Sequence, residues 1–516
     1  MSNWKYRRLF EILPGAIAWF LLLAPLLLAL ISAKVFAVFM IFFISFWLIK
    51  TFFMTYRLII GYKKYRKDIK TDWFSKLRGA FPEDRWQSIY HLVIVPTYKE
   101  DIDILRSSLD SVINSDFPKS NIVYVLATEE RDKERALSYS KILSKEYSSR
   151  LGYFCAIMHP KDMLGEIVGK GGNITFAGKQ ILGYFDKKGI DRENVIVTTM
   201  DADHIMDRRY ISDLTYKYLS DPDPVHKSFQ PLPMFFNNIW DVPMLNRLIA
   251  MGSSFWQLIV TTRPSRLRNF SAHAQSLEAL VRVDFWSTKT IVEDGHQFWR
   301  TYYKFNGRHE VVPMYTPIYQ DAVLAGSFSN TMKEQYLQKK RWAWGVSDIP
   351  YVMEHTFKDH KIPFFDRWAN ALILWESHLS WSTASILLAT SAWIPTLFEN
   401  NFREDIVAYS FNFVYKEMLA VAWLGMIVTL VISTLLAPPR RGKKPFRRIL
   451  LDWILTPIVM PISSIFFSSF PALESQTRLM FGRYLEIFRV TIKSTKRSNI
   501  LEGSDAQKAE SVHFKP

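Results

Sequence analysis

The chain has 516 residues, 49% hydrophobic and 15% aromatic, yet 22% of it is charged, which excludes a bundle of membrane helices alone. Lysine and arginine exceed aspartate and glutamate by 16 charges, and the single cysteine, Cys155, excludes an intrachain disulfide or a thiolate zinc cluster. A nucleic-acid binder can carry such a charge, but so does a membrane protein with a basic cytoplasmic face.

After the basic start Trp4-Lys5-Tyr6-Arg7-Arg8, residues 12–33 carry no charge and are long enough to cross a bilayer as a helix. A signal peptide is the competing reading. A second apolar segment, 35–56, follows at once with only Lys50 in it, which favours a membrane hairpin. The patch Arg57, Lys63, Lys64, Arg66, Lys67 and Lys70 then places both ends of that hairpin in the cytoplasm.

From about residue 89 the pattern changes. Apolar runs of strand length (91–96, 122–127, 153–158, 195–200) alternate with helical stretches near 104–114, 131–147, 173–185 and 208–219. Such alternation predicts an α/β domain with a mostly parallel sheet covered on both faces, and ligands at the carboxyl ends of its strands. Residues 229–363 are less regular and rich in aromatics. An amphipathic stretch, 364–375, suits the membrane surface, and apolar segments resume at 377–398, 418–439 and 453–473.

The acidic loop Glu399, Glu404, Asp405 falls outside the membrane and the basic run Arg440, Arg441, Lys443, Lys444 inside. Pro457, Pro461 and Pro471 predict a bent or re-entrant last segment with a cytoplasmic tail after it. The resulting division is a transmembrane hairpin (1–60), a cytoplasmic domain (61–363) and an interface helix with C-terminal membrane segments (364–473). A basic segment and disordered tail (474–516) follow.

Five motifs carry chemistry. In Val195–His204 an apolar run ends in Asp201-Ala202-Asp203, and residues i and i+2 of a strand share a side. Two converging carboxylates suit Mg²⁺ or Mn²⁺ on a nucleotide's phosphates, whereas a plain Asx turn is the local alternative. Pro96-Thr97-Tyr98-Lys99-Glu100 is a strand entering a polar turn that can clasp a nucleoside. In Gly169-Lys170-Gly171-Gly172-Asn173, glycines, a helix start and Lys170 suit a phosphate, or simply a loop. Glu293-Asp294 offers a general base, or a favourable helix N-terminus. Gln338, Arg341 and Trp342 share a helix face suited to acceptor, diphosphate and sugar ring, or to an amphipathic surface helix.

In this order, and between membrane segments, these motifs resemble the membrane-embedded family 2 glycosyltransferases, the cellulose and hyaluronan synthase group, over about residues 90–350. The resemblance implies a GT-A fold and inverting transfer from a nucleotide diphosphate sugar, with UDP or GDP as leaving group. It implies Asp201 beside the donor diphosphate, Asp203 holding Mg²⁺ or Mn²⁺ with it, and His204 completing a D-x-D-H form as a third metal residue. It implies Asp294 as base after Glu293, and Gln338, Arg341 and Trp342 as the terminal motif. Pro96, Thr97, Tyr98, Glu100 and Lys170 fall on the donor side.

The chain departs from the family where relatives carry an acidic pair after the second strand. Here Glu129 or Glu130 would substitute. The glycine-rich acceptor motif of processive enzymes is replaced by Ser271-Ala272-His273-Ala274-Gln275-Ser276. A saccharide acceptor, as in cell-surface polysaccharide synthesis, and a lipid such as polyprenyl phosphate therefore both stay open. A non-catalytic membrane scaffold or transporter would show decay of the carboxylates, and none has decayed. Nucleic acid is excluded as a partner because the basic residues cluster at membrane borders and not on one helix face. The expected location is a bacterial-type inner membrane, multi-pass, with the catalytic domain cytoplasmic and membrane lipid as a partner.

Overall fold

The computed structural model describes residues 4–390, 406–439 and 445–485. Two long helices, α1 (Arg7–Ile31) and α2 (Ala33–Asp68), lead through the short α3 (Trp73–Ala80) and α4 (Glu83–Gln87) into an α/β domain. Its first half runs β1 (Tyr90–Pro96), α5 (Ile102–Ile113), β2 (Ile122–Glu129), α6 (Lys133–Tyr147), β3 (Tyr153–His159), α7 (Lys170–Lys187), β4 (Val195–Thr199). The second half runs β5 (Ile205–Met206), α8 (Tyr210–Ser220), β6 (Lys227–Met234), α9 (Met244–Thr261), β7 (His273–Ser276), α10 (Leu277–Arg282), α11 (Glu293–Lys304) and β8 (Glu310–Tyr319). Then come α12 (Phe328–Ala343), α13 (Asp348–Lys358) and α14 (Phe364–Thr390).

The eight strands form one mixed sheet in the order β3-β2-β1-β4-β7-β6-β8-β5. β3, β2, β1 and β4 are parallel; β2, β1 and β4 are buried on both faces, as their unbroken apolar runs predict, while the edge strand β3 is partly exposed. Leu92, Ile94, Val123, Val125, Val195 and Val197 pack under α7, while Val93, Val95, Tyr124, Leu126 and Ile196 pack under α5 and α6. Beyond β4 the antiparallel β7 is inserted, and β6 and β8 pair in parallel with a register shift between Gln230 and Leu232. The chain leaves β1 towards β2 and β3, then returns to add β4 on the other side. A crevice opens at the carboxyl ends of strands where the order reverses in this way.

The membrane segments depart from the sequence expectation in three ways. Helix α2 runs on to Asp68, so all of the basic patch but Lys70 lies on the same helix as the apolar run. The amphipathic stretch 364–375 is not a separate helix but the start of α14, which continues to Thr390. The last apolar segment is not broken by its prolines: helix Pro445–Ser464, a π-turn at Ile465–Ser469 and helix Phe470–Met480 follow one another without a gap. Among the described residues four helices are long and apolar enough to cross a membrane: Arg7–Ile31, Lys34–Asp68, Phe413–Leu436 and Ile449–Met480. The far part of segment 377–398, the acidic loop 399–405, the basic run 440–444 and the tail from 486 lie outside the described residues.

Candidate active site

The D-x-D pair converges by a different route from the pleat of a strand. β4 ends at Thr199, and Asp201-Ala202-Asp203 forms a turn in which the His204 N–H donates to Asp201 O at 3.0 Å. The Asp201 N–H donates in return to His204 Nδ1 at 3.1 Å. One ligand atom from each of Asp201, Asp203 and His204 lies within 4.8 Å of the others. Asp203 is buried and its Oδ2 accepts the Asp321 N–H at 3.2 Å. Asp201 keeps 34% of its side chain exposed, so it faces the crevice.

Lys170 joins this turn to Glu293-Asp294. It is the first residue of α7, not part of a loop preceding it. Its Nζ lies 2.7 Å from Asp201 Oδ1 and 3.8 Å from Glu293 Oε1, and donates to Ser271 O at 2.7 Å. The approach depends on Gly171, where a Cβ would overlap the Ser287 carbonyl oxygen. Gly171→Ala is therefore expected to cost about 1–3 kcal/mol of stability, read as a lower melting temperature, because rigid backbone cannot yield to the methyl group.

Glu293 and Asp294 open α11, with the Asp294 carboxylate accepting the Gly295 N–H at 2.7 Å. Burial pushes Glu293 up to about 8, with Lys170 opposing and Asp294 adding to the rise. Burial also raises Asp294, against the pull of Lys170. Burial works against the Lys170 ammonium, but Asp201, Glu293 and Asp294 more than offset it and its pKa is raised. Arg341, on the last turn of α12, is lowered by burial and supported by Asp201, Glu293, Asp294 and Asp203. Four carboxylates and two cations thus share one electrostatic site, assembled from four separate elements of the fold.

The other residues of the terminal motif are placed differently. Gln338 is buried and accepts from Gln335 Nε2 at 3.3 Å, while Asn246 of α9 donates to Gln335 at 3.2 Å. Trp342 packs on Phe235 with ring centroids 5.7 Å apart, beneath the Lys339 ammonium at 4.2 Å. Lys339 also donates to Ser253 Oγ of α9 at 2.8 Å. Burial pulls its amine down to about 7. A lysine protonated at a higher pH when unfolded than when folded makes stability rise with pH between those two values. Lys339→Met should therefore raise the melting temperature most below about pH 7, and the gain should shrink towards the ordinary lysine range.

On the far side of β1, Glu100 Oε2 accepts from Thr97 Oγ1 at 2.8 Å and from the Tyr98 N–H at 2.5 Å. Burial raises Glu100 to about 7. Pro96 ends β1 beside Ala127 of β2, and Lys99 adopts a positive φ of 69° that turns the chain away from the sheet. Glu129, at the end of β2, pairs with Arg131, whose guanidinium stacks 4.4 Å over the Tyr98 ring. Glu130 instead accepts the Lys161 N–H at 3.1 Å.

Three contributors were not singled out in the sequence. Asn237 Nδ2 donates to Asp203 O at 3.1 Å and to Asp321 Oδ1 at 2.9 Å, which fixes the buried half of the D-x-D turn. Arg131 is the third. Asp321 follows an apolar strand end just as Asp201 does, and that was a readable signal. Nothing in the spacing marks Asn237 or Arg131.

No family model matches this chain, and none of the curated proteins matches it in sequence. Among solved structures it is similar to a mannosyltransferase of Pyrobaculum calidifontis in complex with GDP-Man and Mn²⁺. That likeness has 13% identity and a TM-score of 0.42, over 84% of this chain and all of the other. It is similar to the 1–349 fragment of S. aureus TarS at 11% identity and a TM-score of 0.35, over 80% of this chain and 98% of the other. The same fragment in complex with UDP-GlcNAc gives 12% identity and a TM-score of 0.32, with the same coverage.

Proposed function

We propose that this chain is an inverting, metal-dependent glycosyltransferase of the family 2 type, anchored in a membrane with its α/β domain (about 61–363) on the cytoplasmic face. The donor is a UDP- or GDP-sugar, and the acceptor a saccharide or a lipid. The observation that carries this reading is the convergence of Asp201, Asp203, Glu293, Asp294, Lys170 and Arg341 at the carboxyl end of β4. A site with more carboxylates than cations is suited to a substrate that arrives with its own positive counter-ion.

The residues fit a hard divalent cation. Asp201 and Asp203 supply carboxylate oxygens close together, one of them facing the crevice. We assign His204 a positioning role. Its Nδ1 accepts the Asp201 N–H, so the neutral ring carries its proton on Nε2, 3.6 Å from Asp201 Oδ2. Mg²⁺ or Mn²⁺ held by these carboxylates would neutralise charge developing on the leaving diphosphate.

The remaining steps belong to the chain's own side chains. Ionised Asp294 takes the acceptor hydroxyl proton as that oxygen bonds to the anomeric carbon. The bond from that carbon to the diphosphate breaks on the opposite face, its electron pair leaves with the nucleotide, and the configuration inverts. Arg341 and Lys170 stabilise the departing diphosphate electrostatically. Burial and the Asp201 carboxylate raise that base's proton affinity, against the pull of Lys170. Pro96, Thr97, Tyr98, Glu100 and Glu129 line the nucleoside side, and Gln338 and Trp342 the acceptor side.

Product analysis tests this. Purified full-length protein given a labelled donor should yield a glycoside of inverted anomeric configuration, read by NMR. Retention would contradict the role given to Asp294. Partition of the label separates the acceptors: a single-sugar lipid extracts into chloroform, and a polymer precipitates in ethanol.

A further inference from the structure

By composition the helix Ile449–Met480 is a candidate membrane span, but its contacts hold both of its ends on one folded domain. Near its start, Asp452 Oδ1 pairs with Arg247 Nη2 of α9 at 2.8 Å. Near its end, Glu474 accepts from Tyr336 at 2.8 Å and pairs with Lys340 at 3.1 Å, and Ser475 Oγ donates to Lys340 O at 2.9 Å, all on α12. α9 and α12 are themselves joined by the Lys339–Ser253 and Asn246–Gln335 hydrogen bonds, so they cannot lie on opposite sides of a bilayer.

At 1.5 Å per residue, Asp452 and Glu474 are about 33 Å apart along the axis. That is about the thickness of a hydrocarbon core, so a crossing helix would carry one of them to the far face. The side chains are sorted accordingly. Leu450, Ile454, Ile458, Ile462, Phe466 and Phe470 are exposed on one broad face, whereas Thr456, Ser463, Ser469, Ser475 and Gln476 are buried towards the protein. Ser468 and Ser469 bond to Trp381 of α14, and Thr477 to Trp19 of α1. Apolar side out and polar side in marks a helix that meets lipid on one face and protein on the other, and its two tethered ends lay it along the surface instead of across the bilayer.

We propose that the helix Pro445–Met480 does not cross the membrane but lies in its cytoplasmic interface, with the face from Leu450 to Phe470 against the lipid acyl chains. It rests on the reading above that α1 and α2 cross a membrane. It joins the lipid surface directly to α12, the helix that carries Arg341, and returns the chain to the side of the α/β domain.

Single cysteines in a Cys155→Ala background test it, using a membrane-impermeant maleimide on oriented vesicles of the full-length protein. Arg447→Cys near one end, Phe481→Cys at the other and Lys188→Cys on the α/β domain should all react in the same vesicle orientation. A permeant fluorescent maleimide on Ile458→Cys should be quenched most by lipids carrying nitroxide near the headgroup. Labelling of positions 447 and 481 from opposite sides, or deepest quenching at 458 from nitroxide at the acyl-chain end, would overturn the proposal. Phe20→Cys, exposed on α1, separates the two readings. Its labelling from water would sink the membrane reading itself, whereas a protected position 20 with opposed ends would sink only this one.

Discussion

Asp294→Asn should reduce sugar transfer by about 10²–10⁴-fold while leaving the fold and donor binding in place. The substitution keeps the shape of the side chain and a hydrogen-bonding oxygen for the Gly295 N–H, but removes the group that can take a proton. It also removes one of the charges that burial makes costly, so the melting temperature should hold or rise. The neighbouring Glu293 is not an equivalent base, because its greater burial and Asp294 together push it up to about 8. Glu293→Gln should therefore cost less activity than Asp294→Asn. Equal kcat for Asp294→Asn and the unaltered protein, measured with saturating donor, would remove Asp294 from the reaction.

The second large effect concerns the metal. Mn²⁺ or Mg²⁺ with donor should raise the melting temperature of the unaltered protein, by about 2.7 kcal/mol of stabilisation at a ligand concentration 100 times the Kd. Asp203→Asn should abolish that rise. Without metal the variant should be no less stable than the parent, since the amide oxygen can still accept the Asp321 N–H. Excess EDTA should remove both the thermal shift and the activity of the parent. This readout does not depend on turnover. A full thermal shift in Asp203→Asn would place the ion elsewhere.

The parallel half of the sheet was legible because β1, β2 and β4 are unbroken apolar runs, and a strand buried on both faces needs nothing else. The second half was not. β6 contains Pro231 and Pro233, β8 contains Pro313 and Pro317, and prolines argue against a strand wherever they occur. β7 is His-Ala-Gln-Ser, fully buried, its polar side chains satisfied by tertiary partners: Trp286 donates to His273, and Gln297 to Gln275. No periodicity announces a strand whose polar side chains, His273 and Gln275, are satisfied by partners from other elements.

The same division runs through the site. The carboxylates of Asp201, Asp203, Glu293 and Asp294 stood out at the ends of apolar runs, because a charge there ends a strand or opens a helix. Their convergence was read from strand alternation, yet it comes from a turn closed by His204, a geometry that local pattern does not encode. Lys170 and Ser271 meet across about a hundred residues of sequence, and only the assembled sheet brings them together. The terminal helix shows the limit of composition most plainly: its hydropathy marks a span, while Asp452 and Glu474 hold it to one domain.

The central claim is that Asp201, Asp203 and Asp294 form a metal-dependent sugar-transfer site. Release of nucleoside diphosphate by purified full-length protein across a panel of UDP- and GDP-sugars, with and without Mn²⁺, tests it most directly. At least one donor should release nucleoside diphosphate in Mn²⁺ and none in EDTA, and Asp294→Asn should lose that release. No release from any donor, or release that EDTA and Asp294→Asn leave unchanged, would contradict the claim.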